Sequence, residues 1–253
     1  MKTIATGIIF FLFPLFLLSA CASDPDDSGA PAGGSGGGTG DVGCAAHPLP
    51  ADTNDVISTF EDGTGAVQQV AGRGGGFYMF NDETGTQVPA PGAEPMATEK
   101  AHCDSVYALC TSGDGFTIWG AGMGTDLGPT TGGVKSTYDA SGYTGVAFWA
   151  IAAEGTIMQL KVGIKDTNTA PEGGVCDPNE PSGDTACHND WAMRVVMDTE
   201  WTHYTILFTE LTQDPTWGMQ FDQFAVQQTY SIQFQVDAGL PFDFCIDDLV
   251  FVK

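Results

Sequence analysis

Residues 158–165, Met-Gln-Leu-Lys-Val-Gly-Ile-Lys, alternate apolar and polar side chains with a period of two. Successive side chains of a strand point to opposite faces of its sheet, so such a segment has one core face and one wet face. Ile232, Phe234 and Val236 alternate in the same way with Ser231, Gln233 and Gln235. Ten segments share this strand character: 56–60, 76–80, 105–110, 116–120, 145–152, 156–164, 194–197, 202–208, 230–236 and 242–251. They are rich in β-branched and aromatic residues and are bounded by Gly, Asp, Asn and Pro. No stretch carries a sustained 3.6-residue apolar period with caps. A chain of this kind folds as an all-β sandwich or barrel.

Composition narrows the partners. Eight basic residues stand against 32 acidic ones, a formal charge of −24. With no basic patch to neutralise phosphates, nucleic acid is excluded as a partner, and anionic lipid surfaces are disfavoured. A neutral ligand or a cation fits far better. Residues 44–253 are numerous enough for one sizeable β domain with a true core.

The N-terminus is organised differently. Lys2 supplies a positive n-region, residues 8–18 an apolar h-region, and Leu18-Ser19-Ala20-Cys21 a cleavage site. Leu-Ser-Ala-Cys resembles the lipobox of bacterial lipoproteins. The resemblance implies a signal peptide over 1–20 and a diacylglycerol-modified Cys21, with the protein held on a membrane by lipid alone. Ala22, where an Asp would imply retention at the inner membrane, points to the outer membrane. Residues 21–43 then form a flexible Gly-, Ser- and Asp-rich tether, too poor in apolar side chains to offset the entropy of ordering. Within it, Gly33-Gly34-Ser35-Gly36-Gly37 matches G-x-S-x-G, but a nucleophile elbow needs a strand before it and a helix after it. With Cys21 assigned to lipid, six cysteines remain, an even number that in an exported domain points to disulfides. Six allow 15 pairings. Cys176–Cys187 is the favoured pair, because it closes the short acidic loop CDPNEPSGDTAC.

Five segments resemble carbohydrate-binding modules with the galactose-binding-like jelly roll: STFEDGTG, GFTIWGAGMGTDLG, YDASGYTGVAFWA, WTHYTILFTELTQDPTWG and SIQFQVDAGLPFDFCIDDLVFV. The resemblance covers most of residues 56–252. It implies a two-sheet antiparallel jelly-roll β-sandwich with one concave sheet, a glycan ligand, and a structural calcium near the chain ends. The calcium candidates are Glu61, Asp62 and Asp248, since a hard cation needs six to eight oxygens. Phe244 and Ile246 put Asp248 on the core-facing register, unless a bulge at Asp247-Asp248 turns both to solvent. The family carries an aromatic where Cys245 stands, a departure that hints at a local disulfide.

Sugars stack their C–H faces on aromatic rings and hydrogen-bond through hydroxyls, so a site combines rings with amides and charged groups on a concave surface. The candidates are Tyr78, Asn81, Asp82, Trp119, Gln159, Lys161, Lys165, Asp190, Trp191, Trp217, Gln233 and Gln235. Trp149 and Trp201 lie in apolar surroundings and read as structural. No H-E-x-x-H, compact acid motif, usable Ser-His-Asp set or phosphate-cradling loop is present, and the glycines of 119–124 read as tight packing or turns. The expected function is therefore non-catalytic polysaccharide binding on the cell envelope. A structural or protein-interaction lipoprotein is the alternative, and a polysaccharide hydrolase or lyase is third.

Overall fold

The computed structural model describes residues 41–70 and 72–253. The leader, Cys21 and the tether up to residue 40 lie outside the described residues. A short helix, α1 (Asp41–Ala46), comes first, where the composition extends the tether to residue 43. Its Cys44 is disulfide-bonded to Cys103, which fixes the helix to the β domain. Among the described residues no helix is long and apolar enough to cross a membrane.

Two antiparallel sheets form the sandwich. The five-stranded sheet holds β2 (Phe77–Asn81), β6 (Ala121–Asp126), β10 (Gln159–Asp166), β11 (Trp191–Val196) and β13 (Thr229–Val236), in the order β11-β10-β13-β6-β2. The seven-stranded sheet holds β1 (Val56–Ser58), β3 (Thr86–Val88), β4 (Thr98–His102), β5 (Ser105–Asp114), β9 (Gly145–Ala152), β12 (Thr202–Leu207) and β14 (Phe242–Val252). Its order is β12-β9-β14-β5-β3, with β1 on β14 and β4 on β5. A two-stranded hairpin, β7 (Thr130–Thr131) and β8 (Val134–Lys135), stands beside them. From β5 onward most connections pass from one sheet to the other, which is jelly-roll wiring.

The inward half of each alternation meets between the sheets. Leu160, Val162, Ile164, Ile232, Phe234 and Met123 face Leu109, Phe148, Ile206, Phe244 and Ile246, all buried. Phe148 and Phe234 meet edge to face across the gap, with centroids 5.0 Å apart. Such a core holds the five-stranded sheet rigid, and with it the spacing of the side chains on its far side.

The segment 116–120 is not a strand. The Asp82 carboxylate accepts hydrogen bonds from the N–H groups of Ile118, Trp119 and Gly120, at 2.8–2.9 Å, which removes those donors from any ladder. The strand begins just after it, as β6. Strands β3 and β4 carry no clear alternation in sequence. The first is three residues long and ends before Pro89, and the second, Thr-Glu-Lys-Ala-His, is polar.

All six cysteines of the described chain are paired. Cys176–Cys187 is the expected bridge, and Cys110–Cys245 joins directly opposed residues of β5 and β14.

Candidate ligand-binding cleft

The outward half of the alternation on the five-stranded sheet is ordered into rows by strand register. One row runs Phe80, Gly122, Gln235, Lys161, Arg194. The next runs Tyr78, Gly124, Gln233, Gly163, Ala192. Asp126, Ser231 and Lys165 make a third. Glycine occupies β6 in the first two rows because nothing larger fits. A Cβ on Gly122 would collide with the Phe234 carbonyl oxygen, and one on Gly124 would lie 3.0 Å from both the Tyr78 ring and Gln233 Cγ. The glycines of 119–124 are thus a packing device, and they keep the floor of the sheet low.

A cleft of about 700 Å³ lies over these rows. Of the residues expected at a glycan site, Tyr78, Asn81, Trp119, Lys161, Lys165, Asp190, Trp217, Gln233 and Gln235 line it. Trp119 is 43% exposed and stacks at 27° on Phe80, with centroids 6.0 Å apart. The loop that carries it is the one held by Asp82.

Three candidates lie elsewhere. Asp82 is buried beneath the 118–120 loop. Burial pushes its carboxyl up, but hydrogen bonds from the Thr84 hydroxyl and from the N–H groups of Gly120, Thr84 and Ile118 outweigh this and hold it well below the usual carboxylate range. Gln159 is exposed at the start of β10, where its Oε1 accepts from Arg194 Nη1 at 3.4 Å. Trp191 is opposite Ile164 in register and so shares the inward face, packed on the core near Phe224. Its turn-rich neighbours in sequence conceal that orientation.

Sequence reasoning missed Phe80, Lys135, Glu172 and His188, all at the cleft. Phe80 was legible, because it shares a face with Tyr78 two residues away. Lys135 sits in a turn-rich stretch with no pattern to mark it. Its ammonium lies 3.1 Å from Asp126 Oδ1, 3.4 Å from Glu172 Oε1 and 5.4 Å over the Tyr78 ring. Burial works against the charge, yet Asp126, Tyr78 and Glu172 win and raise its pKa.

At the other end of the cleft, Lys165 Nζ is 3.0 Å from His188 Nδ1 and 3.8 Å from Asp190 Oδ2. Desolvation at the cleft wall, joined by the Lys165 ammonium, pulls His188 down to about 4, although part of the ring is open to solvent. The neutral ring therefore accepts from Lys165. Burial raises the Asp190 carboxyl against the pull of Lys165 and Lys161. The Cys176–Cys187 bridge ends one residue before His188 and pins this wall.

The calcium candidates have separate hydrogen-bond partners, although Glu61 lies within electrostatic reach of Asp248. Glu61 accepts from the Ser105 hydroxyl at 2.7 Å and from the Tyr107 N–H at 2.9 Å. Asp62 Oδ1 takes the N–H and hydroxyl of Thr64, both at 2.8 Å, in an exposed turn. Asp248 stands at a bulge, with φ +47° and a register shift between Asp247 and Val250. The bulge takes Asp248 off the core register, yet Asp247 beside it is wholly buried rather than turned to solvent. Asp248 joins a cluster with Asp247, its neighbour in the acidic pair, and with His102, which the sequence did not single out. An imidazole and two carboxylates alone fall short of the six to eight oxygens calcium takes, so Glu61, backbone carbonyls or water would have to complete its shell.

No family model and no curated protein matches this chain. Solved structures with a similar fold exist. A family 11 carbohydrate-binding module from Clostridium thermocellum, in complex with a β-1,3-1,4-mixed-linked tetrasaccharide, is 13% identical, with a TM-score of 0.46 over 78% of this chain and 94% of that one. A family 30 module of a Clostridium thermocellum cellulosomal cellulase is 14% identical, with a TM-score of 0.45 over 70% and 91%. An exo-β-agarase matches at 10% identity and a TM-score of 0.46, over 78% of this chain and 25% of that one.

Proposed function

We propose that this chain is a non-catalytic, polysaccharide-binding lipoprotein that presents its cleft from the cell envelope, anchored in the outer membrane through Cys21. The observation that carries the reading is the floor and rim of the cleft. Tyr78, Phe80, Trp119 and Trp217 give ring faces for sugar C–H surfaces, while Gln233, Gln235 and Lys161 stand between them as hydrogen-bond partners for hydroxyls. Of the carboxylates in the same cleft, Asp126 and Glu172 are paired with Lys135 and Asp190 with Lys165, while Glu180 accepts the Gly183 N–H at 3.0 Å. That leaves one carboxylate without a lysine partner, short of the pair that glycoside hydrolysis uses.

Affinity electrophoresis against soluble polysaccharides, the β-1,3-1,4-glucan among them, tests the ligand class. Retarded migration on at least one glycan, with no reducing sugar released, is the expected result. No retardation across neutral and acidic polysaccharides, with a protein partner recovered by crosslinking on cells, would replace this reading with an interaction role. Metabolic labelling with a palmitate analogue tests the anchor, and the label is expected to disappear in Cys21→Ala.

A further inference from the structure

We infer that the polysaccharide taken by the cleft is acidic, a polyuronate, with a sugar carboxylate seated on the Lys161 ammonium. The inference rests on the reading of the cleft as a glycan site and names the chemical class of its ligand.

The cations of this chain are few and unevenly placed. Of eight Lys and Arg residues, Lys135, Lys161 and Lys165 line the cleft. Arg194 stands directly opposite Lys161 in the register of β10 and β11. Like charges opposite each other on neighbouring strands destabilise a sheet. The fold answers all but one of these charges. Lys135 is held by Asp126 and Glu172, and Lys165 by Asp190. Arg194 donates from Nη1 and Nη2 to the two oxygens of Asp237, at 2.7 and 3.1 Å. Lys161 has no ion pair among the described residues, in a chain with 32 acidic side chains. The carboxylates that feel its charge are engaged elsewhere. Asp190 is turned to Lys165, and Asp214 accepts from the Thr216 hydroxyl and N–H at 2.6 and 2.8 Å. A half-buried ammonium with a like charge opposite it and no carboxylate beside it calls for an anion.

Its neighbours say what carries that anion. Gln235, opposite Lys161 on β13, donates from Nε2 to the Trp119 carbonyl at 3.1 Å, which leaves Oε1 as an acceptor for a sugar hydroxyl. Phe80 closes the same row three strands from Lys161, about 14 Å away, with Trp119 stacked on it. Ring, amide and ammonium follow one another along the row, for C–H stacking, a hydroxyl and a carboxylate. The amide nitrogens beside Lys161 are engaged, so one ammonium is on offer. That suits a carboxylate with two oxygens better than a sulfate ester with three.

The formal charge of −24 repels a polyanion at a distance. Salt screens that repulsion beyond about 8 Å at physiological ionic strength, whereas contact at Lys161 lies inside that range. Glu180, the cleft carboxylate without a lysine, belongs to the loop 176–187 and not to the sheet floor.

The test is isothermal titration calorimetry at physiological ionic strength with polygalacturonate, polyglucuronate and alginate, each beside its carboxyl-reduced form. At least one polyuronate is expected to bind about tenfold or more tightly than its reduced form. Lys161→Gln should abolish that preference and leave affinity for the reduced polymer unchanged. Lys161→Arg should keep the preference, and Lys100→Gln, on exposed β4, should alter nothing. Equal affinity for native and reduced polymers, binding of neutral glucan alone, a preference that survives Lys161→Gln, or tighter binding of dextran sulfate than of any polyuronate would each overturn this inference while leaving the cleft a glycan site. No binding of any polysaccharide, charged or neutral, would overturn both. The reduced polymers remove the charge without any substitution, so the result does not depend on how a variant folds.

Discussion

Gln233 donates from Nε2 to the Tyr78 hydroxyl at 2.9 Å, across a strand whose intervening residue, Gly124, has no side chain. The bond joins β13 to β2 over the top of β6 and sets the level of the cleft floor. Gly124→Ala is expected to push Tyr78 and Gln233 apart, since its Cβ would meet both at 3.0 Å. Glycan affinity should fall several-fold while the fold survives, with a stability loss of about 1–2 kcal/mol. Urea denaturation and affinity electrophoresis on one preparation separate the two effects.

Two tryptophans that look alike in sequence are expected to behave oppositely. Trp119→Ala removes an exposed ring of the cleft and should weaken glycan binding about tenfold, or ~1.4 kcal/mol, with little change in melting temperature. Trp191→Ala leaves a hole against the core near Phe224 and should cost about 3 kcal/mol of stability. At temperatures where that variant stays folded, its glycan affinity should be near that of the parent.

Asp82 is expected to act on the ligand without touching it. Asp82→Ala leaves the N–H groups of Ile118, Trp119 and Gly120 without their acceptor, at a cost of about 2–4 kcal/mol, and frees the loop that aims Trp119. The folded pKa of Asp82 lies below its unfolded value, so its contribution is complete above the ordinary carboxylate range. The contribution is lost as pH falls below about 4, because the unfolded state then takes up the proton first. Asp82→Asn should therefore be less stable at pH 7 and show a shallower loss between pH 5 and pH 2 in thermal melts.

Removing the Cys176–Cys187 bridge, as in the double alanine variant, should cost about 2–3 kcal/mol for a loop of this size. It should also loosen the wall that holds His188 beside Lys165. An imidazole titration followed by NMR would register this as a rise of the His188 pKa from about 4 toward its ordinary value.

The sandwich was legible from strands such as β10 and β13, whose period-two pattern assigns Lys161 and Lys165 to the open face of one strand and Gln233 and Gln235 to the open face of the other; only the pairing of the two strands makes these one face. Edge elements were not, because β3 and β4 are short or polar and are stabilised by pairing with β5 rather than by their own pattern. The cleft was legible where its residues lie on regular strands. It was illegible for Lys135, Glu172 and His188, which come from the β7–β8 hairpin and from irregular segments brought together only by the fold. Trp191 shows the reverse failure, since polar neighbours in sequence say nothing about which way a residue at a strand's start will turn. The pairing of His102 with Asp247 was invisible for a stronger reason. They are 145 positions apart, on β4 and β14, and only the fold brings their side chains together.

The disulfides also determine how a pull between the two ends of the chain would travel. Tension entering at Cys44 crosses to Cys103, runs along the chain to Cys110, and crosses again to Cys245 in the last strand. Residues 45–102 and 111–244 are bypassed, and all five strands of the cleft sheet lie within those two spans. A pull between Cys44 and the last strand would therefore be carried by the seven-stranded sheet, whereas a pull applied at the cleft would have to cross the five-stranded sheet and the core beneath it.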